Sequence, residues 1–139
     1  MTRMAMVLGL AVGLGASLAA QTAGDWPTVG NDPGGMKYSQ LTQITPANVA
    51  TLEQAWTYDL GVPANGYTVT PIVIANTLYL PVGTTIVALK ADMGKDVWKF
   101  DLASIPSLAN SNPSAGGRGI SYWPGTARLA PRIVIATTN

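Results

Sequence analysis

Trp56-Thr57-Tyr58-Asp59-Leu60 and Trp98-Lys99-Phe100-Asp101-Leu102 are one phrase written twice, Trp-x-aromatic-Asp-Leu, with a spacing of 42 from residue 56 to residue 98. A repeat of that length is too long for a hairpin and too short for a domain, so the chain must be built from small units stacked on one another. The stretch between the two phrases shows what the unit is. Thr70–Ala75 and Thr77–Val82 are β-branched and aliphatic runs separated at Ala75-Asn76, where Asn tolerates the left-handed backbone of a tight hairpin. Thr84–Lys90 is a third apolar run, and Asp96–Asp101 is a fourth strand with an alternating pattern, reached through Ala91-Asp92-Met93-Gly94-Lys95 with Gly94 as the permissive turn residue. Thr70–Leu102 is therefore expected to form a meander of four short antiparallel strands.

Four short strands in a period of roughly 40–50 residues are what propeller blades show, whereas a helical solenoid would leave 3.6-residue amphipathic patterns that are missing here. The fold class expected from spacing is all-β, a propeller. A β-sandwich whose two edge strands happen to match stays open at this point. Gln54–Leu60 alternates like a strand, Arg118–Trp123 begins a new unit and Pro131–Thr138 continues it, with a Pro/Gly-rich insertion loop expected over Ala103–Gly117. A blade buries its faces only against flanking blades, so the chain is expected to be the amino-terminal fragment of a longer protein.

Composition narrows the chemistry. Cysteine and histidine are absent, which removes thiolate or imidazole zinc sites, Cys or His nucleophile–base pairs and covalent haem attachment. Eight basic and seven acidic residues give a net charge of +1, and their scatter leaves no basic stripe for nucleic acid. Met1–Ala20 has a positive start at Arg3, an apolar core from Ala5 to about Leu18, and small Ser17 and Ala19 at signal-peptidase spacing. The apolar run falls short of the roughly 20 residues that span a bilayer. Residues 1–20 are thus expected to be a signal peptide cleaved near Ala19 or Ala20, making the protein periplasmic or otherwise exported. Residues 21–53 form a loop-rich lead-in in which Trp26 is the expected anchor and Ile44–Leu52 a short helical turn started by Thr45 and Pro46; the incomplete propeller occupies 54–139.

Several phrases then occur in a familiar order. Asp25-Trp26-Pro27, Gly34-Gly35-Met36-Lys37-Tyr38-Ser39, Ile44-Thr45-Pro46-Ala47-Asn48-Val49 leading to Trp56-Thr57-Tyr58, Thr70-Pro71, Tyr79-Leu80-Pro81, Ala88-Leu89 with Gly94-Lys95 and Trp98, and Arg118-Gly119-Ile120-Ser121-Tyr122-Trp123-Pro124-Gly125 run together. From Asp25 to Thr137 the chain resembles the amino-terminal part of the pyrroloquinoline quinone (PQQ)-dependent dehydrogenases, eight-bladed propellers that oxidise alcohols or sugars. The resemblance implies PQQ and calcium as cofactors, an alcohol, polyol or sugar as substrate, and an electron acceptor in the cell envelope.

It also implies a cofactor-binding role for Arg118, whose fixed, always-charged fork can pair with a carboxylate or polarise a quinone oxygen. Trp56 and Trp98 are read as inter-blade packing residues, each with its indole N–H on a backbone carbonyl and a Gly-Lys turn against its ring. The family's catalytic aspartate and calcium ligands belong to later blades, so no catalytic or metal residue is expected in this chain, and the fragment alone is expected to be inactive. Three departures stand out. Thr68 replaces a glutamate near the cofactor, Ser114-Ala115-Gly116-Gly117 stands where alcohol-oxidising branches carry adjacent cysteines, and Lys90 and Met93 replace Asp and Thr in the docking turn, which is expected to loosen its hydrogen bonding. The alternative from another class is a noncatalytic propeller scaffold of the envelope that presents blade edges to partner proteins.

Overall fold

The computed structural model describes residues 24–61, 69–111 and 113–138, with the side chains of 116–118 and 138 outside the description. The signal peptide expected over 1–20 and the departure at Thr68 lie outside the described residues.

The first sheet is the four-stranded meander read from the sequence. Its strands are β1 (Ile72–Ile74), β2 (Thr77–Val82), β3 (Thr85–Lys90) and β4 (Asp96–Asp101), hydrogen-bonded in chain order and antiparallel throughout. The β1–β2 hairpin pairs Ile74 with Thr77, and its two loop residues, Ala75 (φ 47°) and Asn76 (φ 60°), are both left-handed, the geometry that matches the twist of the flanking strands. Pro81 is fully buried inside β2, yet β1 ends its pairing at Tyr79, so Pro81 sits where β2 has one neighbour and a missing N–H is tolerated.

β3 is buried on both faces, as a strand between two layers must be: Ile86, Val87, Ala88 and Leu89 are all buried. Successive residues point oppositely, so the sheet has two cores. On one face Val82, Val87 and Leu89 pack with Trp56, Tyr58 and Leu60 of the extended segment before the sheet. On the other, Ile72 and Ile86 pack with Leu102, Ala115 and Ile120. The last two belong to a second sheet, β5 (Ser114–Trp123) paired antiparallel with β6 (Arg132–Thr138). The order is thus a four-stranded sheet between an extended segment and a two-stranded sheet.

Three expectations are corrected. Gln54–Leu60 is extended but forms no ladder with any described strand, because alternation specifies a face to bury and not a partner for the backbone N–H and C=O groups. The stretch 103–117 is not a free insertion: Leu102–Ser104 makes a 3-10 turn in which Asp101 Oδ1 accepts from Ala103 N–H at 3.0 Å, and β5 already begins at Ser114. In the lead-in, the 3-10 turn covers only Val49–Thr51; the side chain of its N-cap residue Asn48 makes no bond to the turn and reaches back instead, its Oδ1 accepting from Thr45 N–H at 2.7 Å.

Candidate functional site

The two strands that open the two sheets, β1 and β5, are tied to the same short piece of lead-in chain. Trp26 forms a bridge with Val73, its N–H donating to Val73 O at 2.7 Å and its carbonyl accepting from Val73 N–H at 3.0 Å. Pro27 O accepts from Tyr122 N–H at 3.0 Å, and Asp25 Oδ1 accepts from Ala75 N–H at 2.9 Å. The free edge of β1 is thereby covered and held against β5, whose residue Arg118 carries the expected cofactor role. Trp26 is the anchor expected, and it works through its backbone.

β5 is irregular where Arg118 stands. Ala115 pairs with Thr137 and Ile120 pairs with Ile135, so the four residues 116–119 lie opposite the single residue Ala136. Both ends of this bulge are clamped: Ala115 is buried with its N–H on Gly83 O at 2.8 Å, and Ile120 is completely buried in the inter-sheet core. Excess backbone between two fixed points must leave the plane of the ladder, which is how bulges re-aim side chains beside active sites. Arg118 lies within the excess, but its side chain is outside the described residues, as are those of Gly116 and Gly117. Sequence reasoning named Arg118 and missed the bulge around it. The signal was present, since Gly-Gly-Arg-Gly inside a strand marks a bulge or a close backbone approach.

Trp56 is seated as expected. Its Nε1–H donates to Ala91 O at 3.0 Å, and its ring lies so close over Gly94 (φ 66°) that a Cβ there would stand 2.5 Å from Cε3. The turn beneath it carries Lys90 and Met93. Backbone bonds close it: Lys90 O accepts from Gly94 N–H at 2.8 Å and from Met93 N–H at 3.2 Å, while Lys90 N–H donates to Lys95 O at 2.8 Å. Tyr58 adds a second tether, its hydroxyl donating to Asp96 Oδ1 at 2.6 Å. That bond, with a smaller contribution from Lys99 at 3.3 Å, holds the Asp96 carboxyl below its usual range, and Lys99 is raised in turn, first by Tyr58 and then by Asp96.

Trp98 is placed differently from its repeat partner. Its side is 40% exposed, and its ring is tilted at 48° to Tyr79, 5.8 Å away, with the small residue Ala88 between them on β3. The two rings border an apolar groove of about 560 Å³ with Phe100, Tyr122 and Ile133. Burial pushes the Tyr79 phenol up. No turn caps Trp98 among the described residues, so the packing role expected of both tryptophans is seen only for Trp56.

Among the described residues no group of three or more His, Cys, Asp or Glu could hold a metal ion, so no calcium ligand is assigned. Arg118, the residue expected to meet the cofactor, lies on the glycine-rich bulge of β5.

A four-stranded blade, a tryptophan docked on its turn from the preceding segment, and a second sheet stacked on its other face define a β-propeller protein. The chain belongs to the PQQ-dependent dehydrogenase family: the sequence family described as glucose/ethanol/alcohol dehydrogenase, β-propeller domain, matches residues 26–139. It is 34% identical over 113 residues to the quinohemoprotein alcohol dehydrogenase of Comamonas testosteroni, which covers 77% of this chain and 15% of that protein. It is 30% identical over 152 residues to methanol dehydrogenase [cytochrome c] subunit 1 of Paracoccus denitrificans, covering 94% of this chain and 22% of that protein. Against the quinoprotein glucose dehydrogenase of Escherichia coli (strain K12) it is 34% identical over 124 residues, covering 81% and 15%. The chain thus spans between 15% and 22% of the length of these relatives.

Proposed function

We propose that this chain is the amino-terminal part of an exported PQQ-dependent dehydrogenase that oxidises an alcohol, polyol or sugar, and that Arg118 is one of its cofactor-binding residues. The observation that carries the reading is the clamped bulge in β5, which puts a permanent cation on displaced backbone at the opening strand of the second sheet. When bound, PQQ accepts two electrons from the hydroxyl-bearing carbon of the substrate. The chain's own contribution is to hold and to orient. Arg118 supplies fixed positive charge for a carboxylate or a quinone oxygen, and its guanidinium neither gains nor loses a proton in doing so. Trp26 and Pro27 keep β1 and β5 in a fixed relation, so the bulge does not drift against the first sheet.

In this reading residues 1–20 are removed on export, electrons pass to an acceptor in the envelope, and calcium is held by residues other than those described here. The isolated chain is inert because the proton-accepting carboxylate lies elsewhere in the longer protein. The test is PQQ affinity and PQQ-dependent dye reduction in the full-length enzyme with Arg118 and with Arg118→Ala. A loss of about tenfold or more in affinity is expected, as for a charge-assisted pair. Unchanged affinity, or dye reduction by residues 21–139 alone with PQQ and calcium, would overturn the reading.

A further inference from the structure

The bulge in β5 has a definite seat. A Cβ built on Gly119 would stand 3.1 Å from the Cβ of Ala136, and 3.4 Å from both its backbone N and its O. The first distance is shorter than ordinary van der Waals contact. Gly119 has no positive φ that would demand glycine, so what keeps a side chain out at this position is Ala136. Ala136 is also the one residue of β6 that stands opposite all four residues 116–119. The bulge rejoins the ladder at Ile120, which is completely buried and cannot retreat.

From these three facts we infer that Gly119 is a positioning residue for the cofactor: its bare Cα lets β5 close onto Ala136, and this closure sets where the backbone of Arg118 stands. The inference rests on the proposed role of Arg118. Ala136 is exposed, but its neighbours Ile135 and Thr137 are paired with Ile120 and Ala115, and those two residues are themselves locked, so sliding either strand does not relieve a side chain at 119. The displacement passes instead into 116–118, which lie with Gly119 in the register shift between Ala115 and Ile120. A shift of a few tenths of an ångström at 119 thereby becomes a reorientation of the residue before it. Neither Gly119 nor Ala136 needs to touch the cofactor for this to matter.

The experiment is a PQQ titration of the full-length protein followed by tryptophan fluorescence, with melting temperature as a separate readout. Gly119→Val is expected to raise the Kd for PQQ about tenfold, in keeping with the cost of overpacking a closed contact. Gly119→Ala is expected to raise it less, and Gly119→Ala combined with Ala136→Gly to restore it, because the second change removes the atom in the way. A Gly119→Val protein that binds PQQ like the wild type overturns the inference. Should Gly119→Val fail to fold, the Ala pair decides: an affinity loss repaired by Ala136→Gly supports the positioning role, and an unrepaired loss or no loss refutes it. Arg118→Ala separates the two levels. If Arg118→Ala weakens binding and the Gly119 variants do not, only the positioning role fails; if Arg118→Ala has no effect, both fall.

Discussion

Replacing Gly94 by alanine perturbs the seat of Trp56 at a single atom. The backbone there has φ of 66°, which costs an L-residue about 1 kcal/mol. The new Cβ would stand 2.5 Å from Cε3, 2.6 Å from Cδ2 and 3.0 Å from Cγ of Trp56, so the indole has to leave. In leaving it gives up its hydrogen bond to Ala91 O, worth about 1 kcal/mol. It also gives up the burial of a half-covered ring against Val82, Val87 and Leu89, worth about 1–2 kcal/mol. The expected local destabilisation is therefore about 3–4 kcal/mol, of which only the backbone share is independent of Trp56.

That partition makes the reasoning refutable. Amide exchange in peptides covering residues 90–95 of the full-length protein reads the opening free energy of the turn, whose Gly94 N–H is bonded to Lys90 O. Gly94→Ala should accelerate exchange strongly in the wild-type background, and by only about 1 kcal/mol in a Trp56→Ala background. Equal costs in the two backgrounds would mean that the turn is not held by the indole, and the docking argument would be wrong.

Two further outcomes follow from the same region and its neighbours. The Asp96 carboxyl is held below its usual range by Tyr58 first and Lys99 second, so the tether of 54–60 is intact above the unfolded carboxylate pKa and is lost as pH falls through the lowered folded value. Exchange protection of peptides spanning 54–60 should accordingly drop on acidification, and Tyr58→Phe should flatten that pH dependence; an unchanged profile would remove Tyr58 as the cause. Gly125, at φ 82°, faces the Leu129 carbonyl oxygen so closely that any Cβ would collide with it, whereas Gly35, at φ 65°, faces open space. Gly125→Ala should lower the melting temperature clearly more than Gly35→Ala, and equal shifts would show that backbone strain alone accounts for both.

Three strands of the first sheet were legible because each is a β-branched or aliphatic run followed by a turn that holds a left-handed residue, Ala75, Gly83 or Gly94, and β4 was legible from its alternation. β2 and β4 begin and end where the sequence predicts, at Thr77–Val82 and Asp96–Asp101. The seat of Trp56 was legible too, since the repeated phrase and Gly94 name both halves of the contact. What escaped is relational. Whether Gln54–Leu60 is a strand depends on a partner, and alternation within seven residues carries no information about one. The early start of β5 was hidden by composition: Ser114-Ala115-Gly116-Gly117 reads as loop, yet Ser114 and Ala115 pair with Thr138 and Thr137, and Ala115 is buried with its N–H on Gly83 O. The bulge is a mismatch between two strands, four residues against one, and neither strand shows it alone.

That mismatch also explains why the lead-in chain matters to the site although it contributes no reactive group. The opening strands β1 and β5 belong to different sheets and share no ladder, so the inter-sheet core alone would leave them free to slide, because apolar contacts are non-directional. Hydrogen bonds are directional, and here they come in a consecutive pair: Trp26 to Val73 and Pro27 to Tyr122. Two adjacent residues thus set the register of one sheet against the other. The bulge begins three residues before that anchored Tyr122, counting back to Gly119, with Ile120 locked between them. Both ends of the bulge are therefore fixed, from the lead-in through Tyr122 on one side and from Gly83 through Ala115 on the other, and the proposed positioning role of Gly119 rests on Arg118 lying between them.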